Sequence, residues 1–178
     1  MKDENGDLAI VTKDIEETLT EATWNDGARF WKYEVDKAKK YDWAENDYVL
    51  MRYADVLWMK EEAIKRGGMG TSGANTSDFK KMLKRAFAYE ADPKAAYEAA
   101  YTTALTLDNI LDERGREFYA EGCRRSDLIR FRKFGGNTGY QWELKGGSNR
   151  DFPAYMNLYP IPDKFMNMMY QAVQNEGY

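Results

Sequence analysis

The chain has 178 residues, a formal net charge of −4 and no histidine, and these three facts exclude several classes of protein. Without histidine there can be no Ser-His-Asp triad, no His-ligated zinc or haem, and no imidazole base. The acidic balance argues against nucleic acid and against an anionic membrane surface as partners. We therefore expect no metal and no cofactor.

Hydropathy, cysteine content and aromatic content narrow the class of protein further. No stretch approaches the roughly 18 apolar residues of a membrane-spanning helix. The lone Cys123 cannot form an internal disulfide, and it is more consistent with a small buried residue than with a nucleophile. Aromatic residues make up 15% of the chain, so some of them are expected at the surface rather than in the core.

In chain order, residues 1–45 form a polar, loop-rich lead-in, and 46–134 form a helical core. The first helix of that core is predicted from about 48 to 66, with Asn46-Asp47 as its cap and Gly67-Gly68 as its stop. Its inward stripe follows the helical period and comprises Leu50, Tyr53, Ala54, Leu57 and Ile64.

Four more helices are predicted before residue 134, so the fold class is mainly α. The second follows a cap at Thr76 or Ser77 and has as its inward residues Phe79, Met82, Leu83 and Ala86. The third begins at Asp92-Pro93, and its apolar positions are Ala96, Tyr97, Ala100, Tyr101, Ala104 and Leu105. The fourth is capped by Thr106, ends at Gly122, and has an apolar face of Leu107, Ile110, Leu111 and Phe118. The fifth spans 124–134.

Charged residues lie on the apolar face of the fourth helix. Arg114 falls near the centre of its stripe and Glu121 toward the edge. A buried charge without a partner costs several kcal/mol, so we expect an ion-pair network that ties the fourth helix to the fifth. The members of this predicted network are Arg114, Glu117, Glu121, Arg124, Asp127 and Arg130.

An alternative interpretation of the same helix is a glycoside hydrolase. Glu113, Glu117 and Glu121 could include a pair of catalytic carboxylates. Three glutamates at i, i+4 and i+8, interleaved with arginines, are more typical of helix pairing. The structural interpretation is therefore preferred.

Three separated segments carry the most specific pattern in the chain. They are RYADVLWMKEEA at 52–63, DERGREFYAEGCRRSDLIRFRKF at 112–134 and YPIPDKFMNMMYQAVQNEGY at 159–178. In this order they resemble the C-terminal part of the SusD/RagB family of nutrient-binding lipoproteins. The positions that match the family's charged pattern are Glu113, Arg114, Glu117, Glu121, Gly122, Arg124, Asp127, Leu128 and Arg130.

The resemblance implies a function as well as a fold. It implies the helical C-terminal portion of a SusD-like fold, with long irregular loops and room for a short β-hairpin. Such proteins are non-catalytic, lie at the cell surface on the outer membrane of Bacteroidetes-type bacteria, and deliver oligosaccharides, or peptides in some branches, to a SusC-like TonB-dependent transporter. Their signal peptide, lipid anchor and helical repeats are absent from this chain, so we expect a C-terminal fragment or a truncated gene product.

The ligand-binding residues are expected on variable loops rather than in the shared motifs. The leading candidates are Tyr140 and Trp142 in the Gly-bracketed stretch 135–149, which suggests a short strand or hairpin at the surface. The alternative is that these aromatics pack onto the fifth helix. Trp24 and Trp43 in the lead-in are second candidates.

The last two predicted segments are a Gly/aromatic loop at 135–158 and a terminal segment at 159–178. In the terminal segment, the Pro-Ile-Pro motif is predicted to lead into a final helix, because proline fixes the backbone and suits a first helical turn. A peptide-binding helical module remains an alternative to oligosaccharide binding, because exposed helix faces and aromatics suit both ligands.

Overall fold

The computed structural model describes residues 32–33, 46–71, 77–88, 90–100, 105–136, 138, 140 and 152–178. These residues fall into two units that divide after Leu50. In the first unit the Val49 backbone N–H donates to the Tyr33 hydroxyl at 3.5 Å. The elements below belong to the second unit, Met51–Tyr178.

The second unit is helical, as the sequence predicted. Its helices are α1 (Tyr53–Lys65), α2 (Ser77–Lys84), α3 (Pro93–Ala100), α4 (Leu107–Glu117), α5 (Arg124–Arg130) and α6 (Asp163–Met168), with a 3₁₀ turn at Ala154–Asn157. Helix α1 packs against α2 and α4, α3 packs against α2, and α5 packs against α4. In the part of the chain that is described there is no β-strand, only an isolated parallel bridge between Gly135 and Phe152.

The core lies between α1, α2 and α4. Its buried apolar side chains are Leu57, Trp58, Met82, Leu105, Ile110 and Phe118, with Ala54, Phe87, Leu107, Cys123 and Phe131 packed against them. Trp58 is fully buried, and the sequence did not assign it to the core. Burial of large apolar side chains of this kind supplies most of the stabilisation of a small helical unit.

The first helix begins later than predicted. Arg52 has an extended backbone with φ −133° and ψ 163°, so α1 begins at Tyr53 and not near residue 48. The predicted cap at Asn46-Asp47 is therefore wrong. Leu50 and Tyr53, predicted to face inward, are 88% and 64% exposed. Ala54 and Leu57 do face the core as predicted, and the other buried positions of α1 are Trp58, Glu61 and Glu62.

Capping residues in the sequence predicted the starts of α3 and α4 correctly. The hydroxyl of Thr106 accepts from the Asn109 backbone N–H at 3.1 Å, while the Asn109 side chain accepts from the Thr106 N–H at 3.0 Å. This capping box confirms the predicted start of α4. The Asp92 carboxylate accepts from the Ala95 N–H at 3.0 Å and caps α3 as predicted.

Three predicted details of the later helices are wrong or lie outside the described residues. Helix α5 ends at Arg130 rather than 134, because Arg132 has φ 58° in the left-handed region. Ala86 and Ala100, expected inward, are exposed, since α2 ends at Lys84 and α3 ends at Ala100. Predictions that lie outside the described side chains concern Phe79, Leu83, Tyr97, Tyr101 and Ala104.

The terminal segment folds back on the Pro-Ile-Pro motif. The Gln174 side chain accepts from the Ile161 N–H and donates to the Ile161 carbonyl, both at 2.8 Å. Tyr178 donates to the Leu158 carbonyl at 2.9 Å, and its ring meets that of Tyr155 edge to face. Helix α6 follows Pro162, so the motif does lead into a final helix.

Candidate functional site

Helix α1 presents two carboxylates along one flank. Asp55 and Glu62 are seven residues apart, which is close to two helical turns, so both point toward α4 and α5. Each one meets an arginine from those helices. This spacing in the sequence was the signal for the long-range pairing, and it was not used in the sequence-based prediction.

Arg114 is the centre of the resulting ion-pair network. Its side chain is 4% exposed, its Nη1 donates to Asp55 at 2.7 Å and its Nε donates to Asp127 at 2.9 Å. Burial by itself would lower the pKa of Arg114, but the hydrogen bonds that Arg114 donates to Asp127 and Asp55 outweigh it and raise the pKa. Arg114 is thus buried, charged and joined to both α1 and α5.

The network returns to α1 through Arg130. Its Nη2 donates to Asp127 at 2.7 Å and to Glu62 at 2.9 Å, and its Nε donates to Glu62 at 3.0 Å. Glu62 also accepts from Arg66 at 2.9 Å. Opposite charges therefore alternate from Asp55 to Glu62, so the network ties three helices together and not only the two that the sequence predicted.

A second cluster binds the C-terminal end of α4. Arg52 donates to both oxygens of Glu121, at 2.8 and 3.0 Å, and also to the side chain and backbone carbonyl of Glu117. Arg85 donates to Glu117 as well. The guanidiniums of Arg52 and Arg114 lie 4.6 and 4.8 Å from the centre of the buried Phe118 ring. Cation–π contacts of this kind add to the ion pairs.

These contacts bear on the two interpretations of the α4 carboxylates. Glu117 and Glu121 bind Arg52, and Glu113 binds Arg116. Each of the three carboxylates therefore has an arginine partner within the unit, as structural pairing of the helices requires. The arrangement fits structural pairing and gives no support to a hydrolytic pair.

Arg124, which the sequence assigned to the ion-pair network, lies elsewhere. Its Nη1 donates to the Leu111 carbonyl at 2.7 Å, and its Nη2 donates to the Tyr140 hydroxyl. Its guanidinium is 5.7 Å from the centre of the Tyr140 ring. The connection of Arg124 to Tyr140, a predicted ligand residue, was not foreseen.

Arg124 also lines an open cleft of about 980 Å³ beside the connection between α4 and α5. The residues that line this cleft, called here the α4–α5 cleft, are Asp112, Gly115, Arg116, Phe118, Tyr119, Ala120, Gly122, Arg124 and Arg125. Gly122 has φ 79°, and Ala120 has φ 60° although it is not a glycine. Backbone in this left-handed region lets the chain turn sharply and leaves the ring of Tyr119 67% exposed.

Arg125 is the second half-buried arginine of the cleft. Its guanidinium lies 3.7 Å from the ring centre of Tyr159 and 4.9 Å from that of Phe134. Its Nη2 donates to the Met156 carbonyl at 2.7 Å. It thus holds the terminal segment against the start of α5.

The loop that carries the other predicted ligand residues has a fixed base. The Gly136 N–H donates to the Phe152 carbonyl at 2.9 Å, and the Phe134 and Phe152 ring centres are 5.1 Å apart. A Cβ on Gly135 would lie 2.6 Å from the Pro153 carbonyl oxygen, so only glycine fits this approach. Trp142 in this loop, and Trp24 and Trp43 in the lead-in, lie outside the described residues.

Three further observations concern chemistry. Within the ranges that the structure describes, no three His, Cys, Asp or Glu side chains are grouped as a metal ion would require. Nor is any described helix long and apolar enough to span a bilayer. Cys123 is half-buried, and burial raises the pKa of its thiol, which favours the unreactive protonated form.

The second unit is a helical unit held by paired arginines, with aromatic residues beside an open cleft, and sequence comparisons identify its class. A sequence model of the SusD family matches residues 16–178. The chain is also 37% identical over 136 residues to the starch-binding protein SusD of Bacteroides thetaiotaomicron, an alignment that covers 75% of this chain. The chain belongs to the SusD family. It spans about a fifth of the length of that relative, 22%.

Proposed function

We propose that this protein binds oligosaccharides at the bacterial cell surface without cleaving them, and passes them to a SusC-like TonB-dependent transporter in the outer membrane. The observation that carries the proposal is its similarity to a starch-binding protein, over the segment that contains the ion-pair network. Attachment to the outer membrane through a lipid anchor is part of the same proposal and rests on membership of the SusD family.

The contacts within the unit support a role in binding rather than catalysis. The carboxylates that could serve as a hydrolytic pair are bound to arginines. Gly136 donates a backbone hydrogen bond to Phe152, so the two ends of the intervening loop lie side by side. Arg124 donates to the hydroxyl of Tyr140. A loop on a fixed base can present aromatic rings in a set geometry, and a flat ring offers a surface for the C–H groups of a sugar.

The test is calorimetry with an oligosaccharide panel. Trp142→Ala should lower the affinity for the best ligand while leaving the melting temperature nearly unchanged, because the side chain is proposed to contact sugar rather than core. Tyr170→Ala is the matched control, since Tyr170 is a fully exposed aromatic outside this loop.

Three outcomes would contradict the proposal. Intact affinity in Trp142→Ala, together with a melting temperature several degrees lower, would assign Trp142 to packing and remove it from the site. Release of reducing ends from any oligosaccharide of the panel would show a hydrolase instead. A peptide-binding module would be indicated by peptides binding where no oligosaccharide does.

A further inference from the structure

Two half-buried arginines of the α4–α5 cleft differ from the arginines that form the ion pairs between helices. Arg124 donates to a backbone carbonyl and a phenol, and Arg125 donates to a backbone carbonyl and stacks on two rings. Among the residues described, neither guanidinium has a carboxylate within ion-pair distance. By contrast, Arg52, Arg114 and Arg130 each bind two carboxylates.

The charges around the cleft leave it positive. Its lining includes three arginines and a single carboxylate, that of Asp112. One of the three, Arg116, is paired with Glu113. Arg124 and Arg125 are half-buried, so water screens them less than it screens an exposed arginine. The lining of this cleft is therefore positive although the chain has a net charge of −4.

The cleft also has the size and surface of a sugar site. Its volume of about 980 Å³ is that of a typical small-ligand pocket. The exposed ring of Tyr119 lies on its wall. A guanidinium has five N–H donors and matches a planar carboxylate with two parallel bonds. Arg125 uses only its Nη2 for the bond to Met156, which leaves other donors for a ligand.

We propose that the α4–α5 cleft binds a hexuronic acid unit, with the sugar carboxylate on Arg124 and Arg125 and the ring against Tyr119. This inference rests on the proposed function, because it assumes an oligosaccharide ligand, and it names the class: acidic oligosaccharides. Tyr140, one of the predicted ligand residues, is hydrogen-bonded to Arg124 of this cleft.

The test compares an acidic oligosaccharide with its neutral methyl ester. Calorimetry with the 178-residue chain uses trigalacturonic acid and its methyl ester, which has the same rings without carboxylates. The acid should bind about tenfold more tightly than the ester, since a charge-assisted hydrogen bond contributes at least that much. The ratio should fall as sodium chloride is added.

Variants distinguish the effect of the Arg125 charge from an effect on folding. Arg125→Gln should lower the ratio of acid to ester affinity toward one, with Arg124 supplying what remains of it, and Arg125→Lys should lower the ratio less. Tyr119→Ala should weaken both ligands equally. The control is Arg132→Gln, which removes the same charge from an exposed side chain outside the cleft and should change neither affinity. Melting curves establish that each variant is folded.

The remaining outcomes overturn the inference. If acid and ester bind equally, or if Arg132→Gln lowers the ratio as much as Arg125→Gln, the cleft does not select a uronate. Tight binding of triglutamate in place of the sugar acid would show an acidic peptide site instead. If maltotriose binds while the acid gains nothing over its ester, the inference fails and oligosaccharide binding stands. If no oligosaccharide binds, neutral or acidic, both fail.

Discussion

Two neighbouring regions of this protein use arginine side chains for opposite purposes. In the ion-pair network, Arg114 is 4% exposed and bound to two carboxylates from different helices. In the α4–α5 cleft, Arg125 is half-buried and its partners are a carbonyl and two aromatic rings. An arginine whose charge is already matched holds helices together, whereas one matched only by neutral groups retains the capacity to bind an anion.

The two regions also differ in the free energy of unfolding that is lost when an arginine is removed. Removing one member of a buried ion pair leaves its partner charged and without water, and this costs more than the pair itself contributes. Removing an arginine from neutral partners leaves no buried charge behind. The two regions should therefore respond very differently to the same substitution.

The largest expected effect is that of Arg114→Ala. Because it leaves Asp55 and Asp127 without their shared cation, it should destabilise the fold by about 3–5 kcal/mol. Urea denaturation of the variant and the parent measures the loss. Arg132→Ala is the control for an exposed arginine. A loss below about 1 kcal/mol would mean that Arg114 contributes no more than a surface residue.

Glu62 allows a test of the same network through pH. Burial would raise the pKa of Glu62, but hydrogen bonds from Arg130 and Arg66 outweigh it and lower the pKa below the ordinary 4.5. A lowered folded-state pKa contributes stability above the unfolded-state pKa, and this stability is lost as the pH falls through the folded value. The stability difference between the parent and Glu62→Gln should therefore be full at neutral pH and shrink below about 4.5.

Melting curves from neutral to acidic pH measure that difference. Glu176→Gln serves as control, since Glu176 is exposed, and its curve should run parallel to that of the parent. A constant difference between the parent and Glu62→Gln across the range would show that the ion pairs with Arg130 and Arg66 do not form in solution.

The sequence predicted the parts of this structure that depend on neighbours along the chain. The capping box at Thr106 and the Asp92-Pro93 start of α3 involve residues three apart, and both were found where expected. The burial of Arg114 followed from its position on the apolar stripe of α4. Each of these features can be predicted from the helical period and from a hydrogen-bond donor or acceptor a few residues away in the chain.

The sequence failed where the partner is distant in the chain. Arg114 and Asp55 are 59 residues apart, and Arg52 and Glu121 are 69 apart, so no local rule connects them. The same gap explains the misassigned part of the stripe on α1, where Trp58 is buried in the core while Leu50 and Tyr53 are exposed. The partners of Trp58 lie on α2 and α4, and the local period does not identify them. The link between Arg124 and Tyr140 was missed because a loop residue has no period to follow.

Arg125→Ala tests how much an arginine of the cleft contributes to the stability of the fold. It removes one hydrogen bond to the Met156 carbonyl and the stacking on Tyr159, and it leaves no buried charge. We expect a loss of about 1–2 kcal/mol by urea denaturation, clearly less than for Arg114→Ala. A loss as large as that of Arg114→Ala would show that Arg125 has a structural role equal to that of the network and would weaken the distinction between the two regions.

The smallest expected effect concerns an ion pair that belongs to neither region. Lys60 on α1 contacts Asp78 on α2, and the Lys60 side chain is 54% exposed. Water screens such a pair, and ordering two long side chains offsets its attraction, so Lys60→Ala should leave the melting temperature unchanged within error at physiological salt. A double-mutant cycle with Asp78→Ala measures the coupling directly. If that coupling equalled the one between Arg114 and Asp127, burial would not be what separates a structural ion pair from a surface contact.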